Sequence, residues 1–233
     1  MTTFVLVHGA WHGGWCWRRV ADLLERRGHK VFAPTLTGLG ERSHLISGSI
    51  NLDTHITDVV NVLTWEDLRD VALVGHSYGG WPISGAIEQA FDRIASVVYL
   101  DAFVPEDGQK PLDLASEFAR KGILEAMTKG DVSAPGPPAA TFHVNDRDQA
   151  WVNGKLTPQP VGVMLQPIKL SGARERLRKK AYIRAPQYPQ PTFDSYYRAK
   201  KADPSWRVFE VPCGHDVMVD RPEELAGTLL QVA

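Results

Sequence analysis

The pentapeptide GHSYG, residues 75–79, places Ser77 between two glycines, and GHD, residues 214–216, places His215 far downstream in the chain. A serine alcohol becomes a useful nucleophile only when a neighbouring base takes its proton. Ser77 follows the apolar run 71–74 and precedes a string of small residues, so it stands where a strand turns into a helix. In that setting G-x-S-x-G is a nucleophile elbow. The chain must reverse within a few residues, and a side chain at either glycine would crowd the turn. Ser77 Oγ is lifted off the C-terminal edge of the sheet, over the positive end of the next helix. Outside that setting the same five residues read as an ordinary Gly-Ser turn. His215 follows the last apolar strand and precedes the last helix. It therefore reaches the same sheet edge, where a general base belongs. His76 lies inside the elbow and is expected to pack sideways. His8 belongs to the first loop, and His29, His44, His55 and His143 have no motif around them.

Acyl transfer needs backbone N–H groups aimed at the developing oxyanion. The amide of Tyr78, next after the nucleophile, is one candidate. The amide of Ala10, in the first loop HGAWHGGW (8–15), is the other, with Gly9 letting that backbone approach the reacting carbonyl. The alternative is a glycine-rich loop that merely turns the chain. The base in turn needs a group to fix its tautomer. Asp101 ends the strand that follows the elbow, and neighbouring strands lie about 4.8 Å apart, so it is expected one strand from Ser77. The alternative for Asp101 is a turn cap bound to backbone amides. Asp194 is the second candidate acid, read as helical and past the edge. Asp216 is adjacent to His215 in sequence and poorly placed to reach its ring.

These residues must be held by elements that end at one edge. Apolar runs at 4–7, 31–36, 71–74 and 94–100, with 180–185 and 207–211 later, read as strands covered on both faces. Helical periodicity marks 15–27, 53–65, 79–91 and 221–232. Gly28 closes the first helix, Asp53 is a candidate N-cap for the second, and Pro222 stands in the first turn of the last. The alternation predicts an α/β fold with a mostly parallel sheet and flanking helices. The pattern breaks over 105–175, interrupted by APGPP (134–138), which reads as an inserted lid within a single domain spanning 1–233. Gly9, Trp11, His12, Trp81 and Phe103 flank the motifs and are expected around the substrate pocket. Phe118, Met127, Phe142, Trp151 and Met164 in the lid are further candidates for its wall, with most of them expected to form the lid's own core.

The charge balance, 26 basic against 27 acidic residues, lacks the basic excess of a nucleic-acid-binding surface. The basic stretch 174–180 is expected to be a solvated helix face. Cys16 and Cys213 form no disulfide framework, and Cys213 is read as a small buried apolar residue. No His/Cys spacing suits a metal, so no metal is expected. No run approaches the ~18 apolar residues of a membrane span, and MTTFVLVHGA has no basic n-region, so a cytoplasmic location is the expectation. A homodimer is compatible with the chain but nothing in the sequence specifies one.

HGAWHGGWCW, GHSYGG, YLDAFVPEDG and GHDVMVDRPEEL together resemble the α/β-hydrolase superfamily. The likeness is to the branch holding plant methylesterases, salicylate-binding esterases, hydroxynitrile lyases and their bacterial esterase relatives. It covers most of 4–104 and 177–233 and is thin across the lid. The resemblance implies a Ser–His–acid triad, no cofactor, and small ester substrates with an apolar or aromatic acid part. The lyase members carry threonine after the first-strand histidine and lysine after the catalytic histidine. Gly9 and Asp216 stand there instead, so ester hydrolysis is preferred to cyanohydrin cleavage. Related dehalogenases and epoxide hydrolases use an elbow aspartate, which Ser77 excludes. The family usually places its acid in the loop that reads RAPQYPQP here (184–191), near Gln187 or Tyr188, and that loop has no carboxylate. Its absence keeps open a small-molecule receptor with little chemistry. A carbon–carbon hydrolase or tailoring enzyme would share the same triad.

Overall fold

The computed structural model describes all 233 residues. Eight strands form: β1 Thr3–Val7, β2 Lys30–Phe32, β3 Val71–His76, β4 Ile94–Leu100, β5 Ser133–Ala134, β6 Gln159–Pro160, β7 Lys179–Arg184 and β8 Trp206–Glu210. Six of them make one sheet in the order β2-β1-β3-β4-β7-β8, every pairing parallel. β5 and β6 form a separate antiparallel pair. The principal helices are α1 Arg18–Glu25, α2 Leu52–Trp65 and α3 Gly80–Ala90. Between β4 and β7 lie α4 Pro111–Leu114, α5 Glu117–Lys129, α6 Asp146–Asn153, α7 Gly162–Leu165 and α8 Ala173–Arg176. α9 Pro191–Ala202, α10 Val217–Asp220 and α11 Pro222–Val232 complete the chain.

The strand order explains where the helices go. A crossover between parallel strands is right-handed, so its direction along the sheet decides the face on which its helix lands. β1 to β2 steps one way, while β2 to β3 and β3 to β4 step the other. Accordingly α1 packs against α11, and α2 packs against α3. The direction reverses at β1, which leaves a crevice beyond the C-terminal ends of β1 and β3. All six residues of β3 are buried, as expected of a central strand covered on both faces, whereas edge strand β2 has none fully buried. No helix is long and apolar enough to cross a membrane.

Several local expectations need correction. The first helix is split: a 3-10 turn over Gly14–Trp17 precedes α1. Asn51, not Asp53, caps α2. Its side chain accepts from the Thr54 amide at 3.0 Å, and the Thr54 hydroxyl accepts from the Asn51 amide at 3.2 Å. This reciprocal pair outcompetes Asp53, whose carboxylate accepts from Gln166 Nε2 at 2.6 Å. The basic stretch 174–180 is a solvated helix face only in part: Arg176, Arg178 and Lys179 are exposed, but the helix ends at Arg176. Arg174 is buried and donates to the Pro105 carbonyl at 2.8 Å, and buried Lys180 already belongs to β7.

Candidate active site

Register places the chemistry in one row. His76 pairs with Leu100, and Leu100 pairs with Ile183. The next residues along these three parallel strands are Ser77, Asp101 and Arg184. Ser77 has φ 53° and Asp101 φ 42°, both in the left-handed region that L-residues seldom occupy. The chain bends sharply at both, just past the sheet edge. The elbow glycines are there for space. A Cβ on Gly79 would lie 2.7 Å from the Val7 carbonyl oxygen, and one on Gly75 would lie 2.6 Å from Ile83 Cδ1.

His215 Nδ1–H donates to Asp101 Oδ2 at 2.6 Å, with both side chains buried. That bond fixes the tautomer and leaves Nε2 for the cavity that His215 shares with Ser77. The other oxygen of Asp101, Oδ1, accepts from Arg184 Nη1 at 2.6 Å and from the Ala185 amide at 3.1 Å. Asp194 lies on α9, 45% exposed at its side chain, and bonds Arg184 rather than His215. Asp216 also misses the His215 ring, as its position in sequence suggested. The loop that lacks a carboxylate supplies Tyr188, whose ring stacks on the His215 imidazole at 4.4 Å and 27°. Burial, with Asp101 and Asp216 nearby, pushes the Tyr188 phenol up to about 12, so it stays neutral.

Behind the first loop lies a second buried pair that sequence reasoning did not anticipate. His12 Nδ1 faces the Ala10 carbonyl oxygen at 2.8 Å, and Nε2 faces Asp216 Oδ2 at 3.0 Å. Both partners accept, so both ring nitrogens carry protons and His12 is an imidazolium. Burial alone lowers its pKa, but Asp216 outweighs that and the net shift is upward. Burial raises Asp216, yet His12 carries it down to about 2. His12 therefore does not line the cavity, contrary to expectation. It grips the peptide of Ala10, whose amide has no acceptor within the protein. Gly9 is not in the wall either. It backs onto Ser77: a Cβ there would be 2.9 Å from Ser77 Cβ. His76 packs sideways, its Nε2–H donating to the His215 carbonyl at 3.0 Å.

The cavity encloses about 630 Å³ including its open mouth, and none of its 19 lining residues is Asp, Glu, Lys or Arg. Trp11, Trp81 and Phe103 line it, with Ala10 and Tyr78 beside them and Phe118, Phe142 and Met164 from the segment between β4 and β7. Met127 is instead exposed, and Trp151 packs edge-on against Trp15 at 5.1 Å. Tyr188 and Phe193 were not foreseen as wall residues. Their only signal was position, in and just after the loop that reaches the same edge. The Tyr78 hydroxyl is directed away, donating to His55 Nδ1 at 3.0 Å. His55 Nε2–H donates to the Thr37 carbonyl at 2.9 Å, and burial holds its pKa near 4. No group of three or more His, Cys, Asp or Glu side chains is gathered to hold a metal ion.

Comparison with known proteins agrees with this architecture. The model of the alpha/beta hydrolase family matches residues 4–228. A carbendazim hydrolyzing esterase from Nocardioides sp. (strain SG-4G) is 41% identical over 238 residues, covering 98% of both chains. Putative methylesterase 15, chloroplastic, from Arabidopsis thaliana is 35% identical over 249 residues. That match covers 99% of this chain and 56% of the plant protein. Among solved structures, an extracellular alpha/beta-hydrolase from a Paenibacillus species superposes with a TM-score of 0.85 at 24% identity. It covers 100% of this chain and 99% of its own. It shares the fold.

Proposed function

The chain belongs to the alpha/beta hydrolase family, and we propose that it is a serine-dependent carboxylic ester hydrolase acting on small, neutral esters with an apolar or aromatic part. Esterase activity is supported by the relatives, an esterase at 41% identity over nearly the whole chain and a set of plant methylesterases. The observation that carries the reading is the buried 2.6 Å bond from His215 Nδ1 to Asp101, with His215 and Ser77 walling one cavity.

Ser77 Oγ attacks the ester carbonyl as His215 Nε2 takes its proton. Asp101 stabilises the imidazolium that forms. The oxyanion accepts hydrogen bonds from the amides of Ala10 and Tyr78, beside an uncharged, largely apolar wall. The intermediate collapses, His215 returns the proton to the leaving alcohol, and the acyl group stays on Ser77. Water, deprotonated by the same nitrogen, then releases the acid. The uncharged wall selects neutral acyl and alcohol parts, because a charged group entering it would lose its hydration without a partner. Cyanohydrin cleavage is disfavoured: the position after His215 holds a carboxylate bound to His12, not a cation.

The test is hydrolysis of short p-nitrophenyl esters, with organophosphonate labelling of the nucleophile. Turnover by the native chain, its loss in Ser77→Ala, and phosphonate attached to Ser77 are the expected results. A chain inert to every ester and unlabelled by phosphonate refutes the proposal and favours a binding protein on this fold.

A further inference from the structure

Arg184 takes no part in the acyl-transfer scheme, yet it is buried inside the site's support. Its side chain is 2% exposed and its guanidinium meets four acceptors. Nη1 donates to Asp101 Oδ1 at 2.6 Å and to the Ala185 carbonyl at 2.5 Å. Nη2 donates to the Tyr188 carbonyl at 2.6 Å, and Nε to Asp194 Oδ1 at 2.9 Å. The backbone of 185–188 is thus wrapped around one cation, and that cation also holds the acid. The two sides of the imidazole are fixed from the same point: its Nδ1 through Asp101, its face through the stacked ring of Tyr188.

We infer that Arg184 is a positioning residue for this reaction, aiming the Asp101 carboxylate at His215 and anchoring Tyr188 over the imidazole. The inference rests on the proposed triad. A carboxylate bonded only to His215 is free to turn about its terminal torsion, which is broad. Donors on Oδ1 from Arg184 and Ala185 remove that freedom and leave Oδ2 pointing at Nδ1. The charge matters as well as the shape. A guanidinium sharing the carboxylate opposes part of the attraction between Asp101 and a positive imidazole. This gives a place to an acid that has left the family's usual loop: the residue at the start of that loop reaches back to the relocated carboxylate.

The experiment compares the full native chain with Arg184→Lys and Arg184→Met in p-nitrophenyl acetate hydrolysis. The kcat and KM values are followed across the acid limb of the pH profile, and phosphonate titration counts native active sites. Arg184→Met is expected to lower kcat by about tenfold or more with KM changed less than about twofold. Its acid limb should move up, because the opposing positive charge is gone. Lysine keeps the charge but has at most three donors for four acceptors. Arg184→Lys should therefore lose kcat while its acid limb stays at the native position. If both variants fold and keep the native kcat and limb, the inference is overturned. If Arg184→Met does not fold, native kcat in Arg184→Lys overturns it alone. A native chain that neither turns over nor takes up phosphonate overturns the triad itself and this inference with it, a result distinct from the other two.

Discussion

Replacing Asp101 by asparagine keeps the shape of the side chain, so its effect follows from hydrogen-bond polarity. Asp101 Oδ1 faces two donors that cannot accept, Arg184 Nη1 and the Ala185 amide. In Asp101→Asn the amide oxygen must take that position, because turning the NH2 toward them would oppose donor to donor. The amide nitrogen is then forced to the place of Oδ2 and donates to His215 Nδ1, 2.6 Å away in the native site. That selects the tautomer with its proton on Nε2, the nitrogen that must be empty to accept from Ser77. A wrong-tautomer histidine in a serine triad costs about 10⁴ in kcat, equivalent to roughly 5 kcal/mol of transition-state stabilisation at 1.36 kcal/mol per decade. The assay is steady-state p-nitrophenyl acetate hydrolysis, with circular dichroism confirming the fold. Asp194→Asn serves as the comparison, since Asp194 touches only the outer side of Arg184 and should lose less than about threefold. If Asp101→Asn retains activity within tenfold of the native chain while Ser77→Ala is dead, Asp101 is not the acid.

Three other outcomes follow from the same geometry. Gly9→Ala would put a methyl 2.9 Å from Ser77 Cβ and 3.0 Å from His76 Nδ1, so the nucleophile must shift; kcat should fall by about 10²-fold in the same ester assay. Acid should destabilise the fold below pH 6.5. Burial holds His8 down to about 3 and His55 to about 4, while each titrates near 6.5 once unfolded. For a base whose folded pKa is depressed, stability is present above the unfolded value and lost as pH falls. Between pH 7 and 5 each should remove about 2 kcal/mol. The His12–Asp216 pair has the opposite sense for His12, whose contribution is full below 6.5 and fades only as pH rises, so it offsets part of the loss. Melting curves at pH 7 and 5 should differ by roughly 10 °C, and equal curves would mean the two rings are not held neutral by burial. An ester with a carboxylate on its acyl chain should react with kcat/KM at least about 10²-fold below its neutral counterpart, because no cation lines the cavity. Comparable rates would show that the acyl group binds elsewhere.

What could be read from the sequence differs in kind from what could not. Ser77 and His215 stand in local patterns: a strand, a tight turn and a helix constrain side chains within a few residues, and those constraints are written into adjacent positions. Asp101 was reachable by a weaker route, since parallel strands end at a common edge and the strand after the elbow ends on a carboxylate. The pairing of Leu100 with both His76 and Ile183 is what turns that reasoning into a contact. The same row continues to Arg184, but nothing local distinguishes a structural arginine at a strand end from an exposed one. Its meaning depends on four acceptors drawn from the residue after β4, the loop after β7 and α9. The expected pocket role of His12 failed for a related reason. A histidine in a glycine-rich loop beside a nucleophile suits substrate contact, but Asp216, 204 residues later, pulls the ring behind the loop. Asp216 occupies the position where lyase relatives carry a cation, so the residue that marks the departure from that chemistry also holds His12, and through it Ala10. Under the proposed mechanism, position 216 and the support of the Ala10 amide are therefore linked. A cation at 216 would remove the carboxylate that His12 bonds at 3.0 Å and set like charges together, so changing the chemistry at that position also requires changing the support of the first loop.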